Sequence, residues 1–365
     1  MIAKKIRWKQ VKHHWEIYFF IVPALVLIAV FQYYPAASGI FHSFYRWNGS
    51  DISEFVGLKN YTELLQSADF WQSFRVALLL GLWNVVKMIP AIAVAVWIHR
   101  CSSERMQYVY RLLFVVPMVV PALVIALIWR SFFFEATQGY LNQFLEASGL
   151  FALLCRLDLF FGWGGIFLEG ARPAWLGDPR LILVSCVIWG FPWVGSFAVL
   201  THLAKLQNIP KEIYEAASID GATWWTKFTR IEIPLIMSSI YLMLVFVIIG
   251  TIKDAGMIIA LTGGMDGGPG GRATVPALFM LRKAFINQEM GAACAVGIIL
   301  TVVIMALQKL SSLVLEENRS AIWIRKALPS AVIAAGVLLL FQPGWRAIGA
   351  FLLMLAFPYG ALRDV

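Results

Sequence analysis

Charge is scarce in this 365-residue chain. Asp, Glu, Lys and Arg make up 14% of it, against 60% hydrophobic residues; a soluble domain has about a quarter of its residues charged. That shortage excludes an ordinary soluble fold, which would expose large apolar patches and aggregate. The net charge of +9 does not signal nucleic acid, because no basic stripe is interleaved with aromatics on a polar background. Cysteines number four (Cys101, Cys155, Cys186 and Cys294), with no pair at metal or redox spacing, so no disulfide and no metal site is expected. The five histidines are scattered, which argues against a membrane-embedded enzyme; no catalytic residue is assigned. The glycine-rich stretch 263–272 is not followed by Gly-Lys-Ser/Thr, so it is not a phosphate loop. With no Walker pattern anywhere, any ATP would have to be bound by another chain. The amino end lacks the pattern of a cleavable signal: its first apolar run is too long and has no small-residue cleavage site.

What the chain has is long apolar runs, and runs of about 18 or more residues read as transmembrane helices. Six are expected, near 15–40, 74–98, 112–134, 181–203, 235–261 and 292–313. Two shorter runs, 329–341 and 347–359, sit at or below spanning length, as two short helices, a re-entrant hairpin or interfacial segments. They belong to a carboxyl-terminal extension, 314–365. Basic residues cluster in alternate segments: Lys4, Lys5, Arg7, Lys9 and Lys12; Arg100, Arg105 and Arg111; Lys205, Lys211, Lys227 and Arg230; Lys309, Arg319, Arg325 and Lys326. The positive-inside rule puts these four, the first of them within the basic segment 1–14, in the cytoplasm. The largest outer segment, 135–180, carries an apolar, glycine-interrupted middle, 150–167, expected at the outer interface with Trp163 and Trp175 as anchors.

The cytoplasmic loop 205–234 is the most informative. Asn208-Ile209-Pro210 is a helix start, with Pro210 tolerated in the first turn and Glu212 and Glu215 favoured by the dipole. Gly221 ends the helix in a left-handed conformation, Asp220 caps a second short helix, and Pro234 restarts helix at the membrane surface. Such a helix–glycine–helix unit is either a stiff knob keyed by Glu215, with Ala216 and Ala217 allowing close approach, or an amphipathic loop helix lying on the membrane.

Glu215-Ala216-Ala217, Gly221 and Ile231-Glu232-Ile233-Pro234 resemble the signature of the membrane permeases of binding-protein-dependent ABC importers: Glu-Ala-Ala, three residues, Gly, nine residues, Ile-x-Leu-Pro. The spacing is kept and only Ile233 departs. Ile209 to Tyr214, Ser218 to Ala222, Phe55-Val56-Gly57-Leu58-Lys59-Asn60-Tyr61, Trp175-Leu176-Gly177-Asp178-Pro179 and Leu261-Thr262-Gly263-Gly264 resemble the carbohydrate branch (maltose, glycerol-3-phosphate and multiple-sugar permeases). The resemblance covers about 15–313. It implies an all-α, six-transmembrane-helix core whose loop, through Glu215, Ala216, Ala217, Asp220, Gly221 and Pro234, sits in a groove of an ATPase. It further implies a second permease, two ATPase copies holding ATP and Mg, an extracytoplasmic solute-binding protein, a plasma (inner) membrane location and no covalent catalysis by this chain. Departures are an insertion near 153–173, Lys253 where Phe precedes Asp in the family, Arg75 where Asn is common, and the tail beyond about 315.

Ionisable groups within the bilayer are costly and mark function by default. Asn84 and Lys87 in the second expected span, and Lys253 and Asp254 in the fifth, are candidates for a solute path. Trp189 and Trp193, at i and i+4 in the fourth, make either an aromatic platform for a sugar or bundle packing. For Lys253 and Asp254, a pair with a partner chain competes with solute contact. The alternative functions are an ion-coupled secondary carrier using Asp254 and Lys87, and a non-transporting regulatory membrane subunit.

Overall fold

The computed structural model describes residues 15–50 and 53–317. The expected basic terminus and the two short carboxyl-terminal runs lie outside them. The chain is an all-α integral membrane protein with one small hairpin. In chain order the elements used below are α1 (Trp15–Ile28), α2 (Tyr34–His42), β1 (Tyr45–Trp47), β2 (Ser53–Phe55), α3 (Lys59–Gln66), α4 (Ala68–Val86), α5 (Met88–His99), α6 (Glu104–Val119), α7 (Ala122–Ile128), α8 (Tyr140–Ala147), α9 (Leu150–Phe161), α10 (Ile182–Ile188), α11 (Ser196–Leu206), α12 (Lys211–Ile219), α13 (Trp224–Lys227), α14 (Met237–Lys253), α15 (Gly256–Thr262) and α16 (Met290–Glu317).

Among the described residues, three helical stretches are long and apolar enough to cross a membrane alone: Phe19–His42, Ala68–His99 and Met290–Lys309. They overlap the first, second and sixth expected spans. The other three are broken, and the breaks follow the backbone chemistry. The third bends by 86° between α6 and α7, at Val120-Pro121, where proline has no N–H to carry the helix on. The fifth bends by 66° between Trp224–Leu235 and α14, just past Pro234, and α14 stops at Lys253. The fourth is two short helices, because Gly190 (φ +78°), Pro192 and Gly195 stand between α10 and α11.

Two compact units carry these elements. In the smaller, the chain turns from α2 into the antiparallel β1–β2 hairpin, where Tyr45 faces Phe55. The hairpin leads to α3. Buried Asn60 donates to the carbonyls of Ser43 (2.7 Å) and Tyr45 (2.9 Å), and the Tyr61 hydroxyl donates to Ser43 Oγ at 2.7 Å. The Gly-Leu-Lys-Asn-Tyr stretch of the sequence is therefore a clamp on the corner after the first span. α16 begins against the same corner: a Cβ at Gly291 would collide with the Tyr45 carbonyl.

In the larger unit, α11 buries Val199, Leu203 and Leu206 against Ala91, Ala95, Val96 and Ile98 of α5, with Ile209 and Ile236 completing the cluster. Small residues at 91 and 95 let the two helices approach closely. Between the third and fourth expected spans, α9 runs as one twelve-residue helix, too short to cross a bilayer. Left-handed Gly149 and Gly162 flank it. Its buried Asp158 accepts from the backbone N–H groups of Gly165 (3.1 Å) and Phe167 (2.6 Å), which shapes the following loop. Trp163 stacks on Phe161 at 5.8 Å, and Phe160 is 81% exposed. Trp175 is a correction: instead of an interfacial anchor it is a buried residue, donating from Nε1 to Asn142 Oδ1 at 2.7 Å. Its carbonyl accepts from Ser185 Oγ of α10 at 2.7 Å. The Arg180 guanidinium forks onto Asp178 (2.6 and 3.0 Å), holds that carboxyl below the usual range, and donates to the Gly164 carbonyl at 2.7 Å. The Trp-Leu-Gly-Asp-Pro stretch thus pins the inserted loop to the start of α10.

Asn60→Ala leaves two carbonyls without their donor and is expected to cost about 1–3 kcal/mol. The readout is a lower thermal midpoint of the detergent-solubilised protein; an unchanged midpoint refutes the clamp.

Candidate functional site

The loop between α11 and α14 folds as two short helices around a glycine. Pro210 stands at the N-cap of α12, with Glu212 in the first turn. At the far end Gly221 is left-handed (φ +72°). Ala222 N–H donates to the Ala217 carbonyl (2.8 Å) and Gly221 N–H to that of Ser218 (3.1 Å). These are the two bonds of a Schellman ending, so Gly221 and the Ala217 carbonyl have a defined structural task. The second helix, α13, is capped by Thr223, whose hydroxyl accepts from Thr226 N–H at 3.2 Å. Asp220 does not cap it, as the sequence suggests; it is the C-cap of α12. Lys227 reaches back to Ser218 Oγ at 2.7 Å and ties the two helices together. Glu215, Ala216 and Asp220 are exposed, and so is Ile219, at 87%.

The root of this knob is polar and buried. Glu232, with no exposed side-chain surface, takes a two-pronged ion pair from Arg100: Nε to Oε1 at 2.8 Å and Nη2 to Oε2 at 2.7 Å. The Tyr214 hydroxyl donates to Glu232 Oε1 at 3.3 Å and lies 3.1 Å from His99 Nε2. Burial, and then the carboxylate beside it, push the Tyr214 phenol up, so it stays a donor. Arg100 also lies over the Trp224 ring at 4.6 Å and donates to the Trp224 carbonyl at 3.4 Å. Pro234 follows within the first residues of a new helical turn, where its missing N–H goes unneeded.

A second polar group forms at the break in the fourth span. Lys87, between α4 and α5, donates to the carbonyls of Cys186 and Trp189, both at 3.3 Å, and lies 5.8 Å from the Trp193 ring centre. Trp193 Nε1 donates to the Val187 carbonyl at 3.2 Å, and its ring meets Trp83 edge-on at 5.6 Å. These donors satisfy carbonyls that the end of α10 leaves open. Asn84 bonds Thr251 Oγ1 of α14 at 3.0 Å. Lys253 and Asp254 are exposed at the end of α14, and Asp254 Oδ1 accepts from Gly256 N–H at 2.8 Å to start α15.

Residues 91–315, more than half of the chain, match the family described as the binding-protein-dependent transport system inner membrane component. The chain belongs to this family. The Probable ABC transporter permease protein YurN of Bacillus subtilis is 31% identical, over 80% of this chain and 92% of its own length. The multiple sugar-binding transport system permease protein MsmF of Streptococcus mutans is 30% identical, over 81% of this chain and 93% of its own. The fold matches a crystal structure of a bacterial ABC transporter involved in the import of the acidic polysaccharide alginate, with a TM-score of 0.68 and 22% identity, covering 86% of this chain and 99% of that one. The protein is thus a multi-pass inner-membrane permease subunit of an ABC transporter, a class without catalytic chemistry of its own.

Of the residues singled out in the permease sequence, the structure brings Lys87, Trp189 and Trp193 together, with Asn84 one turn from Lys87. Trp189 and Trp193 are not neighbours on one helix: α10 ends at Ile188 and the chain is non-helical to Gly195. Arg100, His99, Tyr214 and Glu232 were not singled out as a group. The signal was a lone acidic residue inside Ile231-Glu232-Ile233-Pro234, where the apolar run begins.

Lys87→Met keeps the stem and removes the donors; it is expected to lower the thermal midpoint without any solute, at a cost of about 1–3 kcal/mol. A change in solute affinity alone would make Lys87 a solute ligand instead. Gly221→Ala forces a side chain into the left-handed region at about 1–2 kcal/mol and should raise proteolysis between α12 and α13. Unchanged cleavage counts against the Schellman ending.

Proposed function

We propose that this permease imports a carbohydrate or carbohydrate-like solute, handed over by an extracytoplasmic binding protein and driven by a separate ATPase. The knob of Glu215 to Gly221 is the coupling element. The observation that carries this reading is its form: a stiff helix–glycine–helix unit, rooted in a buried ion pair, that exposes Glu215 and Ala216 of the importer signature, with Ile219 exposed beside them. An exposed apolar side chain beside an exposed acid suits a keyed protein contact better than water.

In this reading the permease pairs with a second permease subunit, and two ATPase copies hold ATP and Mg on the cytoplasmic side, where the amino end also lies. ATP binding closes the ATPases. The knob carries that motion to the helices, which pass from inward-open to outward-open by rigid rocking. The carbohydrate class is supported by the name of MsmF, by the clamp motifs of the outer face, and by the sn-glycerol-3-phosphate permease UgpA of Brucella suis, 30% identical over 80% of this chain. A binding-protein partner is supported by the fold relative crystallised as a bacterial alginate ABC transporter in complex with an alginate pentasaccharide-bound periplasmic protein, with a TM-score of 0.67.

Glu215→Lys is expected to leave the permease inserted while abolishing ATP-driven uptake or assembly with the ATPase. Uptake at the wild-type rate in proteoliposomes sinks the coupling assignment.

A further inference from the structure

The ion pair at the root of the knob joins four separate stretches of chain. Arg100 is the residue after α5. Glu232 ends the π-helical turn Phe228–Glu232 that leads into the fifth span. Tyr214 lies on α12, next to Glu215. Trp224 begins α13. A π turn holds one residue more than an α turn, and that extra residue re-aims the side chains that follow. Glu232 is the last residue of this turn and meets Arg100. The contact is a fork on both carboxylate oxygens, which fixes orientation as well as distance. Arg100 is 20% exposed and Glu232 not at all, so solvent screens the pair little.

Adhesion between these stretches does not need the ion pair. Ile209, Ile236, Leu206, Val96 and Ile98 already pack into one apolar cluster, with Tyr214 and Phe228 against it. A buried ion pair adds little net stability compared with apolar side chains of the same size. What it adds is a single permitted geometry. We infer that Arg100 and Glu232, with His99 and Tyr214, are positioning residues that lock the knob, the end of the second span and the start of the fifth into one rigid body. Motion of Glu215 then reaches two membrane helices at once. This rests on the coupling reading of the knob.

The test replaces both charges by apolar side chains, Arg100→Met with Glu232→Met, in the permease assembled with its ATPase and binding protein. Three quantities are read: thermal midpoint, uptake per ATP hydrolysed, and hydrogen exchange across 211–230. A positional role predicts a midpoint at or above wild type, about tenfold lower uptake per ATP, and about tenfold faster exchange in the knob. Wild-type uptake per ATP with wild-type exchange overturns the inference. If the double variant does not assemble, Glu232→Gln and Tyr214→Phe are read in the same way, each weakening the joint without emptying it; unchanged exchange in both overturns it. Faster exchange together with a Glu215→Lys variant that still transports leaves the joint standing and removes the ATPase reading instead.

Discussion

Glu232 is a carboxylate with no exposed surface, close to where an apolar helix begins, and its placement depends on Arg100. Removing one partner of such a pair costs about 3–5 kcal/mol, because the other charge is left stranded, whereas replacing both by apolar groups is often neutral. The pair is therefore a poor glue and a strict ruler. Because Arg100 also covers Trp224 and Tyr214 also reaches Glu232, the ruler sets the pose of α12 and α13 as well as the bend at Pro234. The apolar cluster under it supplies the cohesion, since area burial carries no directional preference. Cohesion and geometry come from different residues.

The same division recurs within the spans. Breaking a helix in a bilayer leaves backbone groups that have no water to turn to. At the fourth span the open carbonyls go to Lys87 and to Trp193 Nε1. At the fifth, Asp254 takes the N–H groups that start α15. Gly263, at φ +81°, ends α15 in the left-handed region, which favours glycine. Asn84 bonds a side chain, Thr251 Oγ1, and Lys253 is exposed, but each of Lys87 and Asp254 has a backbone task at a break. That does not remove either from a solute path. Irregular backbone at membrane depth is tolerated where it is buried in protein or lines a cavity, so a residue that holds a break open is also where a polar solute finds donors and acceptors.

The parts legible in the sequence were those written in local chemistry. Apolar length marked the three stretches that run as single long helices, a glycine marked the end of α12, and long spaced identities marked the loop. What escaped was set by pairs distant in sequence or by a single backbone position. The i, i+4 reading of Trp189 and Trp193 assumed an unbroken helix through Gly190 and Pro192, although both residues argue against one. Asp220 and Thr223 are both good caps, and only the Schellman bonds, which use Gly221 and Ala222, settle that Thr223 begins the next helix. Trp175 resembles an interfacial anchor by type, yet its Nε1 has Asn142 to bond, 33 residues earlier. Arg100 and Glu232 are 132 residues apart, beyond any periodicity. Arg100 looked like topology and Glu232 like the variable position of a motif.

This bears on what the knob is for. α12 exposes Ile219 at its tip beside Glu215 and Asp220, while Tyr214 turns inward to the ion pair. A tip that is partly apolar and stiff, mounted on a base that permits one geometry, is unfavourable for an isolated chain in water. It becomes favourable when a second protein covers the tip and pulls on it. On the proposed coupling role, the residue that would face the partner and the residue that would transmit its pull are adjacent on one short helix, Glu215 exposed and Tyr214 turned in to the ion pair.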